Sequence, residues 1–186
     1  QGTELWEHCW GGTHLEFGRG LDLTPDGGYV VAGMTRSTNG HVSGLVGEQD
    51  FWVVKVDAAG DLQWQKCLGG TTWDHAKGIQ RTADGGYIVA GYTNSTNGDV
   101  SGQHGAYDMW VVKLDEEGEL QWQHALGGTA NDEAFAIEQT TDGGYLAVGF
   151  THSNNGDVSG NHGDADMWVV KLAGSGTTGI TKPTTQ

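Results

Sequence analysis

Positive charge is scarce in this 186-residue chain: 9 Lys and Arg stand against 24 Asp and Glu, for a formal net charge of −15. A surface of that sign repels phosphates, so neither nucleic acid nor an anionic membrane face is an expected partner. Cations and neutral polar ligands stay open. Proline is scarce as well. With 2 Pro and no G-X-Y period, the 33 Gly do not make a collagen. No stretch approaches the roughly 20 consecutive apolar residues that a membrane-spanning helix needs, so no membrane insertion is expected. Nor does any 3.6-residue apolar pattern run long enough for a helix. Cys9 and Cys67 are the only cysteines, at equivalent places in successive repeats. Equivalent positions on neighbouring sheets rarely bring Cα atoms within the roughly 7 Å that a bridge needs, so both read as buried free thiols. With no initiator Met and no signal-like segment, Gln1 reads as a processed start.

What is abundant is repetition. The string from Trp64 to Thr71 matches Trp122 to Thr129, and Trp6 to Thr13 is a first copy. Asp26-Gly27-Gly28-Tyr29 recurs at Asp84 and Asp142, and Trp52-Val53-Val54-Lys55 recurs at Trp110 and Trp168. Every spacing is 58 residues, with no insertion. Each unit reads as four short strands. In the second copy these are Ala76 to Thr82, an Asp84-Gly85-Gly86 turn, Tyr87 to Thr93, a long polar loop, Met109 to Leu114, a second tight turn, and Glu119 to Leu126. The fold class is therefore all-β: three tandem four-stranded antiparallel sheets over residues 1–172. The repeats run about 11–68, 69–126 and 127–172, with a strand at 4–10 and a flexible Thr-rich tail at 173–186. Small residues recur at Gly18 and Gly20, Ala76 and Gly78, Ala134 and Ala136, which suggests strands converging on an axis.

Taken together, Leu126-Gly127-Gly128-Thr129, Asp132, Asp142-Gly143-Gly144-Tyr145 and Trp168-Val169-Val170-Lys171 resemble the seven-bladed β-propeller repeat family and the related repeats of secreted bacterial surface proteins. The resemblance covers about residues 5–172 and implies a secreted or cell-surface propeller. Three repeats instead of seven leave a closure problem. The chain opens with an orphan fourth strand and loses the Leu-Gln-Trp pattern after Leu172, so the N-terminal strand is the natural completion of the last sheet, in cis or in trans. A strand-exchanged dimer forming a six-bladed ring, an open filament, a closed three-fold β-prism of the lectin type, or a fragment of a longer array each satisfy the sequence.

Six of the eight histidines fall on one loop face: His14, His41, His75, His104, His152 and His162. Within it, Asn97, Asp99, Ser101 and Asp108 have the spacing of a calcium loop: oxygens at places one, three and five, a Gly at six, and an acid at twelve. Asn155, Asp157, Ser159 and Asp166 repeat it, while the first copy has His41 in place of the acid at place three. Two charges per loop imply weak calcium sites, and the same residues also read as plain turns. Trp73 breaks the repeat, standing where Leu15 and Asn131 stand. Beside Asp74, and with His104 and His162 on the same face, it is a candidate platform for glycans. No nucleophile elbow, P-loop or dinucleotide fingerprint occurs, so no catalytic residue is expected and a hydrolase ranks last. The expectation is a secreted, non-catalytic module that associates with itself, with a lectin as the alternative.

Overall fold

A computed structural model describes residues 2–174. Eleven strands form three antiparallel sheets with no helix among the described residues. Unit 1 holds β1 (Glu16–Leu23), β2 (Tyr29–Thr35), β3 (Asp50–Val56) and β4 (Leu62–Leu68). Unit 2 holds β5 (Asp74–Arg81), β6 (Tyr87–Thr93), β7 (Asp108–Leu114) and β8 (Leu120–Leu126). Unit 3 holds β9 (Asp132–Gln139), β10 (Tyr145–Thr151) and β11 (Asp166–Leu172). In each sheet the strands pair in sequence order, as a meander. Strand boundaries agree with the sequence reading to within two residues, and the expected tail from residue 175 onward lies outside the described residues.

The hairpins follow from their Gly-Gly turns. Gly85 sits at φ +93°, a region that suits glycine, while Gly85 N–H donates to Thr82 O at 3.0 Å and Thr82 N–H to Gly86 O at 2.8 Å. The first strand of each unit carries a bulge that alternation alone does not predict, with register shifts at Gly18/Gly20, Ala76/Gly78 and Val148/Gly149.

Period-two alternation gives each sheet two apolar faces. One face of unit 1 (Val30, Ala32, Phe51, Val53) packs on Tyr87, Val89, Trp110 and Val112 of unit 2, with Phe51 edge-on to Trp110 at 4.5 Å between ring centres. The opposite face of unit 2 (Ile88, Ala90, Met109, Val111) packs in the same way on Ile137, Tyr145, Ala147, Trp168 and Val170 of unit 3. Each fully buried Val, Leu or Met contributes about 1.5–3 kcal/mol, so these two junctions hold most of the stability. Gly20 and Gly78 let the inner strands close up: a Cβ on either would lie 3.0 Å from the Cα of Gly78 or Ala136 in the next unit.

The array is open. Unit 3 packs on unit 2 through β5, β6 and β7, and the first strand of unit 1 has no comparable packing with β9, so the closed three-fold prism is not adopted. Residues 4–10 do not form the expected strand within this chain and do not complete unit 3 in cis. Instead they lie on the free face of unit 1, where Trp10 joins Trp52, Val54 and Val56. Cys9 and Cys67 are free thiols, but Cys9 is exposed, not buried, because its segment has no sheet partner here.

Candidate functional site at the unit junctions

The polar loops meet where one unit hands over to the next, and their side chains are spent on a repeated clamp. At the first junction the Gly69-Gly70-Thr71-Thr72 turn offers four backbone N–H groups in a row. Gly69 N–H donates to Asp99 Oδ2 at 3.1 Å, Gly70 to Asp74 Oδ2 at 2.9 Å, Thr71 to Asn97 Oδ1 at 3.0 Å, and Thr72 to Ser95 Oγ at 3.1 Å. Asp99 N–H returns a bond to Gly69 O at 2.9 Å. The second junction repeats the pattern with Asp157, Asp132, Asn155 and Ser153 accepting from Gly127 to Ala130. In unit 1 the replacement of the acid by His41 is accommodated by chemistry: its Nδ1 accepts from Gly11 N–H at 3.2 Å, as a carboxylate would.

This places the calcium-loop residues. Asn97 and Asp99 reach back to the Gly-Gly-Thr turn, whereas Ser101 Oγ accepts from Gln123 Nε2 at 2.6 Å. Asp108 closes its own loop, accepting from His104 N–H and Nδ1, both at 2.9 Å. Asn155 and Asp157 act like Asn97 and Asp99. Asp166 pairs with His162 at 2.9 Å, and Ser159 has no equivalent glutamine partner among the described residues. The loop oxygens that find partners thus turn to different ones, and among the described residues no group of three or more His, Cys, Asp or Glu is placed to hold a metal ion.

The glycan candidates fall at different junctions. Trp73 is partly exposed in the turn between units 1 and 2, its Nε1 donating to Glu48 Oε2 at 2.7 Å. Asp74 beside it is buried and fully engaged, accepting also from Thr93 Oγ1 and from Ser95 Oγ at 2.9 Å. His104 lies one junction further on, 4.0 Å from Asp157, and the largely exposed His162 belongs to the open end of unit 3. Only Trp73 and Asp74 are neighbours.

Burial makes the acids unusual. Asp50 is pushed up to about 6 by desolvation and by Asp74 and Asp99 nearby, against the amides of Val46 and Gly47, which favour its charge. Burial also raises Asp74 and Asp108. A Cβ on Gly69 would lie 2.5 Å from Asp74 Oδ2 and 3.0 Å from Asp50 Oδ1, and one on Gly127 2.6 Å from Asp132 Oδ2 and 2.9 Å from Asp108 Oδ1. Asp108 Oδ1 is buried with no hydrogen-bond partner. A second network escapes a sequence reading altogether. His75 Nε2–H donates to Gln49 Oε1 and its Nδ1 accepts from Tyr92 Oη–H at 2.8 Å, and burial with Lys77 and Arg19 nearby brings its pKa down to about 4, so it is neutral. Its partners come from two units, so no local pattern announces it.

No family model matches the chain. Over 173 residues it is 29% identical to a protein of Caulobacter vibrioides called "Regulatory protein FlaEY", an alignment that takes in 83% of this chain and 17% of that protein's length. The chain therefore spans about a sixth of the relative. The fold itself is that of an all-β repeat protein, three antiparallel sheets joined by polar clamps.

Proposed function

We propose that the chain is a non-catalytic interaction module of the β-propeller type, working outside the cell, that associates with itself through its two open ends. One observation carries the reading: the face that buries the internal junctions lies bare at the unit 3 end of the array and, around Leu21, is bare beside residues 4–10 at the unit 1 end. Met167 is 78% exposed where Phe51 and Met109 are at 0%, and Val169 is 51% exposed where Val53 and Val111 are at 0%. At the other end Leu21 is 67% exposed, against 7% for Ile79 and 4% for Ile137. The two bare faces are thus the two halves of a junction that the chain already makes twice. Apolar surface of this kind, matched to a partner by the repeat itself, is an association surface.

Sedimentation of the full chain over a concentration series tests it. A species of twice the chain mass is the expected result, and a monomer at every concentration would sink the reading. Calcium in the loops at 97–108 and 155–166 is a further element of the proposal, and it would have to compete with the amides those oxygens accept from. The exposed indole of Trp73, fixed by Glu48, favours glycan binding as a second reading.

A further inference from the structure

We infer that the seam between two copies is an antiparallel pairing of residues 4–10 of one copy with β11 of the other. Its register sets Cys9 opposite Trp168, His8 opposite Val169 and Glu7 opposite Val170, and two such seams close a six-unit ring. This rests on the self-association proposed above and gives it a geometry.

The N-terminal segment is already seated for the role. Trp6 meets Tyr29 at 5.9 Å and 63°, as Trp64 meets Tyr87 at 5.8 Å and 66°, and Trp122 meets Tyr145 at 5.5 Å and 58°. Trp64 and Trp122 belong to the fourth strands of the preceding units. Residues 4–10 therefore stand against unit 1 where the fourth strand of a preceding unit would stand, and docking onto unit 3 of a second copy needs no rearrangement. The register follows from the internal sheets, where Trp52 faces Cys67 and Val54 faces Gln65, and again Trp110 faces Ala125 and Val112 faces Gln123.

Two loose hydrogen-bonding groups are completed by that register. Trp52 Nε1 donates to Gln65 Oε1 at 2.8 Å, and Trp110 Nε1 to Gln123 Oε1 at 2.7 Å. Trp168 has no such partner among the described residues, and the residue one repeat before Gln65 is Glu7. A carboxylate there accepts from Trp168 Nε1–H. It also accepts from Ser159 Oγ–H, reversing the Gln65 Nε2 to Ser43 Oγ bond of unit 1. On the inner strands, Asp22 Oδ2 accepts from Arg81 N–H at 2.7 Å and Gln80 accepts from Gln139 N–H. The matching pair across copies is Glu138 with Leu23 N–H, which within one copy donates to its own Asp22 Oδ1 at 2.8 Å and would be shared between the two carboxylates.

The chain's own tail is a poor rival for the edge of β11. It carries Thr181 at the glutamine place and Pro183, which has no N–H, at the place of Cys67 and Ala125. Two copies give six units, inside the usual range of about 4–8 for a closed ring, with the two-fold symmetry commonest among oligomers.

The test mixes two full-length chains, each in a Cys9→Ser, Cys67→Ser background, one carrying His8→Cys and the other Val169→Cys. Oxidation of the mixture is expected to give a covalent heterodimer, with neither chain cross-linking alone, and sedimentation a species of two copies. Glu7→Ala should weaken association about a hundredfold, about tenfold at each of the two seams. A dimer that does not cross-link would overturn the register while leaving self-association standing. Absence of any dimer would overturn both. A cross-link formed within one chain carrying both cysteines, at monomer mass, would overturn the second copy as occupant, and cross-linked species larger than two copies would overturn the closed ring.

Discussion

The ammonium of Lys113 lies 3.0 Å from the carboxylate of Asp84, yet the two side chains live in different solvents, at 2% and 54% exposure. Lys55 with Asp26 and Lys171 with Asp142 make the same pair in the other units, each tying the Gly-Gly hairpin to the third strand. The asymmetry makes a prediction. Asp84→Ala leaves a buried cation with only Leu114 O and Gln121 Oε1 as acceptors. It should cost about 2 kcal/mol, below the usual penalty for breaking a fully buried pair because Asp84 is half exposed. Lys113→Met leaves only a hydrated carboxylate and should cost about 1 kcal/mol or less. Urea denaturation of both variants decides it, and a reversed order would refute the argument.

The clamp predicts a second ordering. Asn97→Ala removes acceptors from Thr71 N–H and Oγ1 at an exposed place, where water can substitute, and should cost about 1 kcal/mol. Asp74→Ala deprives Gly70 N–H, Thr93 Oγ1 and Ser95 Oγ of their acceptor in a buried place, and should cost about 3 kcal/mol. Equal effects in thermal melts would mean that the clamp is not the load path between units.

Acidity follows from Asp50. Its carboxyl titrates at about 6 in the fold, above its value of 3.8 when unfolded. The folded state then binds the extra proton between these limits, so its contribution to stability falls as pH rises from about 4 to 6. Asp74 and Asp108 act in the same direction. Asp26, Asp84 and Asp142 are held low by their lysines and turn hydrogen bonds, and they oppose it: their contribution is present above about 4 and lost as pH falls further. Asp50→Asn should therefore gain stability over the parent at pH 7 and lose that advantage by pH 4. An advantage unchanged across this range would exclude Asp50 as the titrating group.

Calcium binding is checked by titration calorimetry at millimolar concentration. Were Asp99 and Asp108 ligands, heat should appear in the parent and vanish in Asp99→Ala and Asp108→Ala. A blank titration of the parent leaves these loops as turns whose acids hold amides.

Glycan binding rests on Trp73. A sugar stacked on the indole would change its emission, and Trp73→Ala would remove the change. Blank glycan arrays with the parent chain would end the lectin reading.

How far the sequence carried these conclusions depends on the range of each interaction. The 58-residue period, the Asp84-Gly85-Gly86 turn and the Val-rich strands are local, so the sheets were legible residue by residue. The spacing of Asn97, Asp99 and Asp108 was equally visible, but its partners were not: Asn97 bonds Thr71, 26 residues away, and Asp99 bonds Gly69, 30 away. Spacing along a loop fixes which oxygens are available and says nothing of which amides arrive. The bulges belong to the pairing of two strands within a sheet, the orphan Oδ1 of Asp108 and the exposure of Cys9 to more distant surroundings, and alternation within one strand carries no trace of them.

The contact of Gly20 with Gly78, and of Gly78 with Ala136, makes one missing carbon the ruler of the whole arc. At the third unit the ruler changes, because Ala136 already carries the methyl that Gly20 and Gly78 lack. Two copies meeting there would stand slightly further apart than two units within a copy. The central opening would then be oval, with its long axis recording where one molecule ends and the next begins.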